Sequence, residues 1–122
     1  MTLERINLGK LGEQEAVKLL QVQGYKIIER NFRTKLGEID IIAQDDDTIC
    51  FVEVRTKTSP DEGHPLESIS PHKCRKLTQA AWCYLKEKDL AEANVRFDVV
   101  AVVPSDNGEY KTELVKNAFE VE

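Results

Sequence analysis

No stretch of this 122-residue chain approaches the apolar length needed to cross a bilayer, and its first residues carry no signal-peptide core. The expected protein is therefore cytoplasmic, with no membrane partner. Cysteine is scarce: Cys50, Cys74 and Cys83 form no CxxC pair, and their odd number fits buried reduced thiols better than a disulfide or zinc framework. The glycine loops that cradle nucleotides, GxxxxGK[ST] and GxGxxG, are missing, and so is a GxSxG elbow. His64 and His72 lack HExxH spacing and have no evident Cys or Ser partner, so both are expected at the surface. A cationic excess is missing too. Seventeen Lys/Arg against 22 Asp/Glu give a net charge of −5, which argues against indiscriminate coating of nucleic acid.

What is present describes a soluble globular domain, 41% hydrophobic and 32% charged, long enough to bury a core without staples. No internal repeat or composition break divides residues 1–122, so a single domain is expected. Residues 8–23 read as an amphipathic helix, with Leu8, Leu11, Gly12, Ala16, Leu19 and Leu20 on one side and Gly24 suited to end it. Glu13 falls on the edge of that stripe, where a glutamate is more often solvated than functional. Strands are expected over 25–32, 37–43 and 48–57, a long loop over 58–69, and a helix over 70–86 capped by Ser70 with Pro71 at its first position. The run RFDVVAVV (Arg96 to Val103) has the pattern of a strand buried on both faces, reached by a right-handed parallel crossover. Asn107-Gly108 then marks a turn into an edge strand over 109–115.

The hairpin holds the most informative residues. If its turn is centred between Asp46 and Asp47, Asp40 faces Glu53 on one side of the sheet, with Cβ atoms about 5 Å apart. Like charges so placed repel, and a hard divalent cation between them would turn the repulsion into binding. Arg55 and Lys57 share the face of Glu53, and the same register sets Glu38 opposite Arg55. An ion-pair ladder, with Glu53 reaching Lys57, is thus the structural alternative. Cations also cluster as Arg30/Arg33/Lys35 and Lys73/Arg75/Lys76. The second group opens a helix, the wrong sign for the dipole but a good end for a phosphate. Metal-assisted phosphodiester hydrolysis needs such parts: carboxylates for the cation, and positive groups for the developing charge.

In this order GKLGEQEA (Gly9 to Ala16), GYKIIERNFR (Gly24 to Arg33), GEIDII (Gly37 to Ile42), FVEVRTK (Phe51 to Lys57) and RFDVVAV (Arg96 to Val102) resemble the PD-(D/E)xK nuclease superfamily. Nearly the whole chain is similar to its YraN-like family of uncharacterised proteins, relatives of archaeal Holliday-junction resolvases. The resemblance implies an α/β, restriction-endonuclease-like fold: a central mixed sheet flanked by helices in the order α-β-β-β-α-β-β. It implies Asp40 and Glu53 as ligands of Mg²⁺ or Mn²⁺, the Val54 carbonyl as a third, and Glu13 as the helix glutamate of resolvase-like members. Arg55 and Lys57 would steady the phosphate, and Arg30, Arg33, Lys35, Lys73, Arg75 and Lys76 would hold DNA, branched DNA included. Two positions depart from the pattern: Ile39 stands where proline usually precedes Asp40, and Arg55 stands where lysine is usual. Arginine keeps the charge but does not transfer protons. The expected function is a metal-dependent endonuclease acting on DNA; the alternative is a DNA-binding module that does not cut. A homodimer would suit a two-fold branched substrate.

Overall fold

Where the sequence is most continuously apolar, the chain forms its longest strand, β4 (Asn94–Pro104), buried from Phe97 to Val102. The computed structural model describes residues 3–57, 69–105 and 107–120, with the backbone alone for residues 4–7. Nearly all of the expected loop at 58–69, His64 included, lies outside the described residues. The elements are α1 (Leu3–Val22), β1 (Lys26–Arg33), β2 (Glu38–Asp45), β3 (Thr48–Thr56), α2 (Pro71–Glu87), β4 and β5 (Tyr110–Val115). The five strands form one sheet in sequence order, with β3 and β4 parallel and every other pair antiparallel. This is the expected α/β order, consistent with a restriction-endonuclease-like fold.

α1 starts five residues earlier than expected, because nothing from Leu3 to Leu8 is a helix breaker. It ends as expected. Gly24, at φ 92°, lets its own N–H reach the Gln21 carbonyl and the Tyr25 N–H reach Leu20. These are the two bonds of a Schellman ending, with buried Leu20 and Tyr25 in the apolar contact that accompanies it. At α2, Ser70 Oγ accepts from Lys73 N at 3.1 Å and Pro71 opens the first turn.

The helices cover opposite faces of the sheet. α1 packs Ala16 and Leu20 with Ile41, Val52, Val100 and Val102. α2 packs Leu77, Ala81 and Tyr84 with Ile42, Phe51 and Phe97. Truncating a buried Leu such as Leu20 costs about 2–5 kcal/mol in sites of this kind. The exposed edge strand β1 carries a register shift between Ile27 and Glu29, a device that blunts edge-to-edge pairing.

α1 is seated by a close approach. A Cβ on Gly12 would collide with Thr56 Oγ1 near the end of β3 and lie only 3.1 Å from Thr56 Cβ, which rotation of the side chain does not move. Gly12→Ala should therefore lower stability by about 1–3 kcal/mol, the usual cost of overpacking. Adding Thr56→Ala should recover most of the loss. Denaturant melts of the single and double variants check this, and additive losses would show that the two positions do not share the contact.

Candidate functional site

The hairpin has the expected register, with Ile41 opposite Val52, Ala43 opposite Cys50, and Asp45 closing on Thr48. Asp46, at φ 53°, makes the turn. The β2–β3 ladder then stops at Ile41 and Val52. Continued by one step it would set Asp40 against Glu53, and by two it would set Ile39 against Val54. Instead the Val54 N–H donates to Asp40 Oδ2 at 2.8 Å. A side-chain carboxylate thus takes a backbone donor from the ladder, and the two strands no longer pair beyond it.

This break also explains why strict alternation fails in β2. Ile39 and Ile42 both pack in the cluster under α2, while Ile41 and Ala43 pack under α1. β2 remains held from its other side, since β1 pairs with it as far as Arg33 and Glu38. Asp40 is therefore part-buried and fixed at the mouth of a split between two strands.

Glu53 is buried, its side chain 8% exposed, on the α2 side of β3 that Phe51 also faces. Its Oε2 makes no hydrogen bond among the described residues. Among the described residues the nearest counter-ion is Lys73, from the first turn of α2, with Nζ 3.3 Å from Oε2. The pair meets the distance of an ion pair without the alignment of a hydrogen bond, so the oxygen keeps lone pairs to spare. Arg55 Nη2 lies at 3.9 Å from the same oxygen, and Arg55 Nε is itself buried without a partner. Burial raises the Asp40 carboxyl to about 7, and the neighbouring Glu53 carboxylate adds to the rise. The Val54 N–H and Lys73 act against it.

The ion-pair ladder expected as an alternative is not formed. Glu38 pairs with Arg33 at 3.3 Å instead of Arg55, because pairing across the hairpin ends before position 38. Among the described residues Glu53 pairs with Lys73 and Arg55, and Lys57 makes no ion pair with either acid. Lys57 is tied by its backbone N–H to the Val102 carbonyl. Glu13 Oε1 accepts from Arg30 Nε and Asn31 Nδ2, each at 3.0 Å. Asn31, at φ 55°, sits between the β1 partners of Ile41 and Ile39 and so lies across from Asp40. Glu13 thus stands one strand away from the acid pair, and no three His, Cys, Asp or Glu converge among the described residues.

The other basic residues form a rim. Arg30, Arg33 and Lys35 are exposed along β1 and its turn, and Arg75 and Lys76 are exposed on α2. The two groups are neighbours, because a Cβ on Gly37 would fall 2.7 Å from the Lys76 carbonyl. The position of Lys73 beside Glu53 was not foreseen. The sequence groups Lys73 with the cations expected to hold DNA, and it lies 20 residues beyond Glu53 with no spacing signal to link the two.

A second buried acid was also missed. Asp98 takes Arg96 Nε and Nη2, the Tyr25 hydroxyl and the Asn117 N–H, all within 3.0 Å. Arg96 Nη2 continues to Asp45 at 2.9 Å. This network lies on the α1 side of the sheet, with Val100 and Val102, away from Glu53. Its burial raises Cys50 to about 12, an inert thiol.

With this geometry in view, comparison with known proteins places the chain. The model of Uncharacterised protein family UPF0102 matches residues 12–102. The chain belongs to this family. UPF0102 proteins similar to it include one from Desulfosudis oleivorans, 47% identical over 120 residues covering 98% of this chain and 95% of the relative. Another, from Chlorobium phaeobacteroides, is 45% identical over 118 residues, covering 93% and 94%. A third, from Desulforapulum autotrophicum, is 40% identical over all of both chains. The matched span holds Glu13, Asp40, Glu53, Arg55 and Lys73, so the whole site lies within the family's common part.

The acid pair makes a pH signature. Folded Asp40 keeps its proton up to about pH 7, against 3.8 for an ordinary aspartate. The folded chain therefore binds more protons than the unfolded one in that window, and stability falls as pH rises through it. Asp40→Asn keeps an acceptor for the Val54 N–H and cannot ionise. Urea melts from about pH 4 to pH 8 should show a decline in the unmodified chain, at most a few kcal/mol, that Asp40→Asn flattens. Parallel profiles for the two chains would mean that Asp40 is not the titrating group.

Proposed function

We propose that this chain is a divalent-metal-dependent endonuclease that hydrolyses DNA phosphodiester bonds. The observation that carries this reading is the pair Asp40 and Glu53, two part-buried or buried carboxylates brought together where β2 and β3 separate. Their donors are hard oxygens, one of them without a hydrogen bond, in a place where mutual repulsion already costs free energy. That donor set fits Mg²⁺ or Mn²⁺. When bound, such an ion polarises the phosphoryl group and lowers the pKa of water.

The chain's own residues supply the rest. Asp40 and Glu53 would hold the cation, and the Val54 carbonyl is proposed as a further ligand. The Val54 N–H fixes the orientation of Asp40. Arg55, whose Nε is buried without a hydrogen-bond partner among the described residues, is proposed to steady the phosphate with Lys57, which follows just past the end of β3. Glu13 is proposed to act at the border, holding Arg30 toward the DNA backbone instead of joining the acid pair. The rim of Arg33, Lys35, Arg75 and Lys76 would track the phosphates, with branched or repair intermediates as the substrates to try first. A two-fold substrate would suit two copies of the chain.

A second reading is a binding module that holds DNA without cutting it. Arg55 favours it, since guanidinium does not exchange protons at working pH. The two readings separate cleanly. Labelled linear, nicked, flap and four-way DNA incubated with Mg²⁺ or Mn²⁺ should be cleaved, and EDTA should stop the reaction. Asp40→Ala and Glu53→Ala should each lower the rate by about a hundredfold or more. Cleavage that survives both substitutions would overturn the reading, and tight binding in EDTA with no turnover in any metal would establish the second.

A further inference from the structure

Among the described residues two cations, Arg55 and Lys73, stand within 4 Å of Glu53, and they differ in what holds them. Arg55 rises from β3 two residues after Glu53, with its side chain 26% exposed. Lys57 pairs with neither acid among the described residues. Lys73 comes from a different element, and its ammonium is the nearest positive group to Glu53 Oε2 among the described residues. Ser70 fixes the Lys73 backbone through the helix cap, while its 39% exposed side chain faces solvent along a flexible four-carbon stem. The first turn of α2 has no acidic residue, so Lys73 stands at the positive end of the helix dipole with no local counter-charge. Glu53 is the carboxylate that offsets this cost.

We infer that Lys73 is the resident cation of the acid pair: its ammonium stands at Glu53 where a divalent ion would bind, gives way to that ion, and then faces the phosphate. The inference rests on the reading of the acids as metal ligands. Arg55 cannot play this part, because it is anchored on the same strand as Glu53 and does not come from across the site. Lys73 is thus a positioning residue that sets both the metal affinity of the site and the charge awaiting the substrate. It would also keep the acid pair neutralised in the absence of metal, when two buried carboxylates would otherwise repel.

Mn²⁺ titration calorimetry on the unmodified chain, Lys73→Met and Lys73→Arg tests this, with melting curves to confirm folding. Lys73→Met removes the competing charge and should bind Mn²⁺ about tenfold more tightly, while DNA cleavage falls by about a hundredfold. Lys73→Arg should keep the affinity of the unmodified chain within about threefold. Should Lys73→Met fail to fold, Lys73→Gln carries the same test with a polar side chain. A purely structural lysine would shift the melting temperature and leave Mn²⁺ affinity unchanged, which would overturn this inference while the metal reading stands. Binding by Lys73→Met but by neither the unmodified chain nor Lys73→Arg would support it. No binding by any of the chains would overturn the metal reading, and this inference with it.

Discussion

The site depends on one hydrogen bond that a regular sheet would not contain. Val54 gives its N–H to the Asp40 carboxylate, at 2.8 Å, in place of a carbonyl across the hairpin. A strand pair can lose such a rung only if both strands are held from elsewhere. β2 is held by β1 down to Glu38, and β3 is held by β4 through Thr56. The split is therefore braced on both sides. Two strands that stay in the sheet yet part from each other make a notch, and the side chains at its start are Asp40 and Glu53. The notch coincides with Asp40, whose short carboxylate takes the Val54 N–H where the β2–β3 ladder stops.

Burial then fixes the electrostatics. Two carboxylates in contact at a protein–water boundary cannot both be ionised without a nearby cation, and the chain answers in two ways. Asp40 keeps its proton over a wider pH range, and Lys73 and Arg55 come within 4 Å of Glu53. Neither answer is complete. Among the described residues one oxygen of Glu53 and the Nε of Arg55 remain without hydrogen bonds, although they lie in an interior where such groups are usually paired. Polar groups left short of partners side by side, with opposite charge, are what a site retains when a further ligand completes it.

Much of this was legible in the sequence, and the parts that were not share a cause. The Asp45 to Thr48 turn and the apolar alternation set the hairpin register correctly, because both signals are local. Ser70-Pro71 marked the start of α2, and Gly24 the end of α1, for the same reason. The face change at Ile39 was not legible. Period-2 reasoning assumes an unbroken ladder, and it placed Glu38 opposite Arg55 where the structure pairs it with Arg33. The meeting of Lys73 with Glu53 was hidden too, since a parallel crossover brings the two together and no spacing rule spans a crossover. Glu13 was legible as a border residue, but its partners Arg30 and Asn31 depend on where β1 bends.

Asp98 supplies an internal control for reading the acid pair. It sits on β4, the neighbour of β3, and is only 1% exposed. Yet its two oxygens accept from Arg96 twice, from Tyr25 and from the Asn117 backbone. A carboxylate so surrounded has its charge balanced and its lone pairs used, and it ties β4 to the start of β1 and to the chain after β5. The family match spans both acids, so membership alone does not tell a structural carboxylate from a functional one. Partner count does. One fold, with the same residues to draw on, completes the environment of Asp98 and leaves that of Glu53 open, and it does so next to a second carboxylate at the broken ladder. The difference is hard to attribute to a shortage of donors, since Arg55 carries an unused one beside Glu53. Among the described residues no donor completes Glu53 Oε2, which leaves that oxygen open to a ligand.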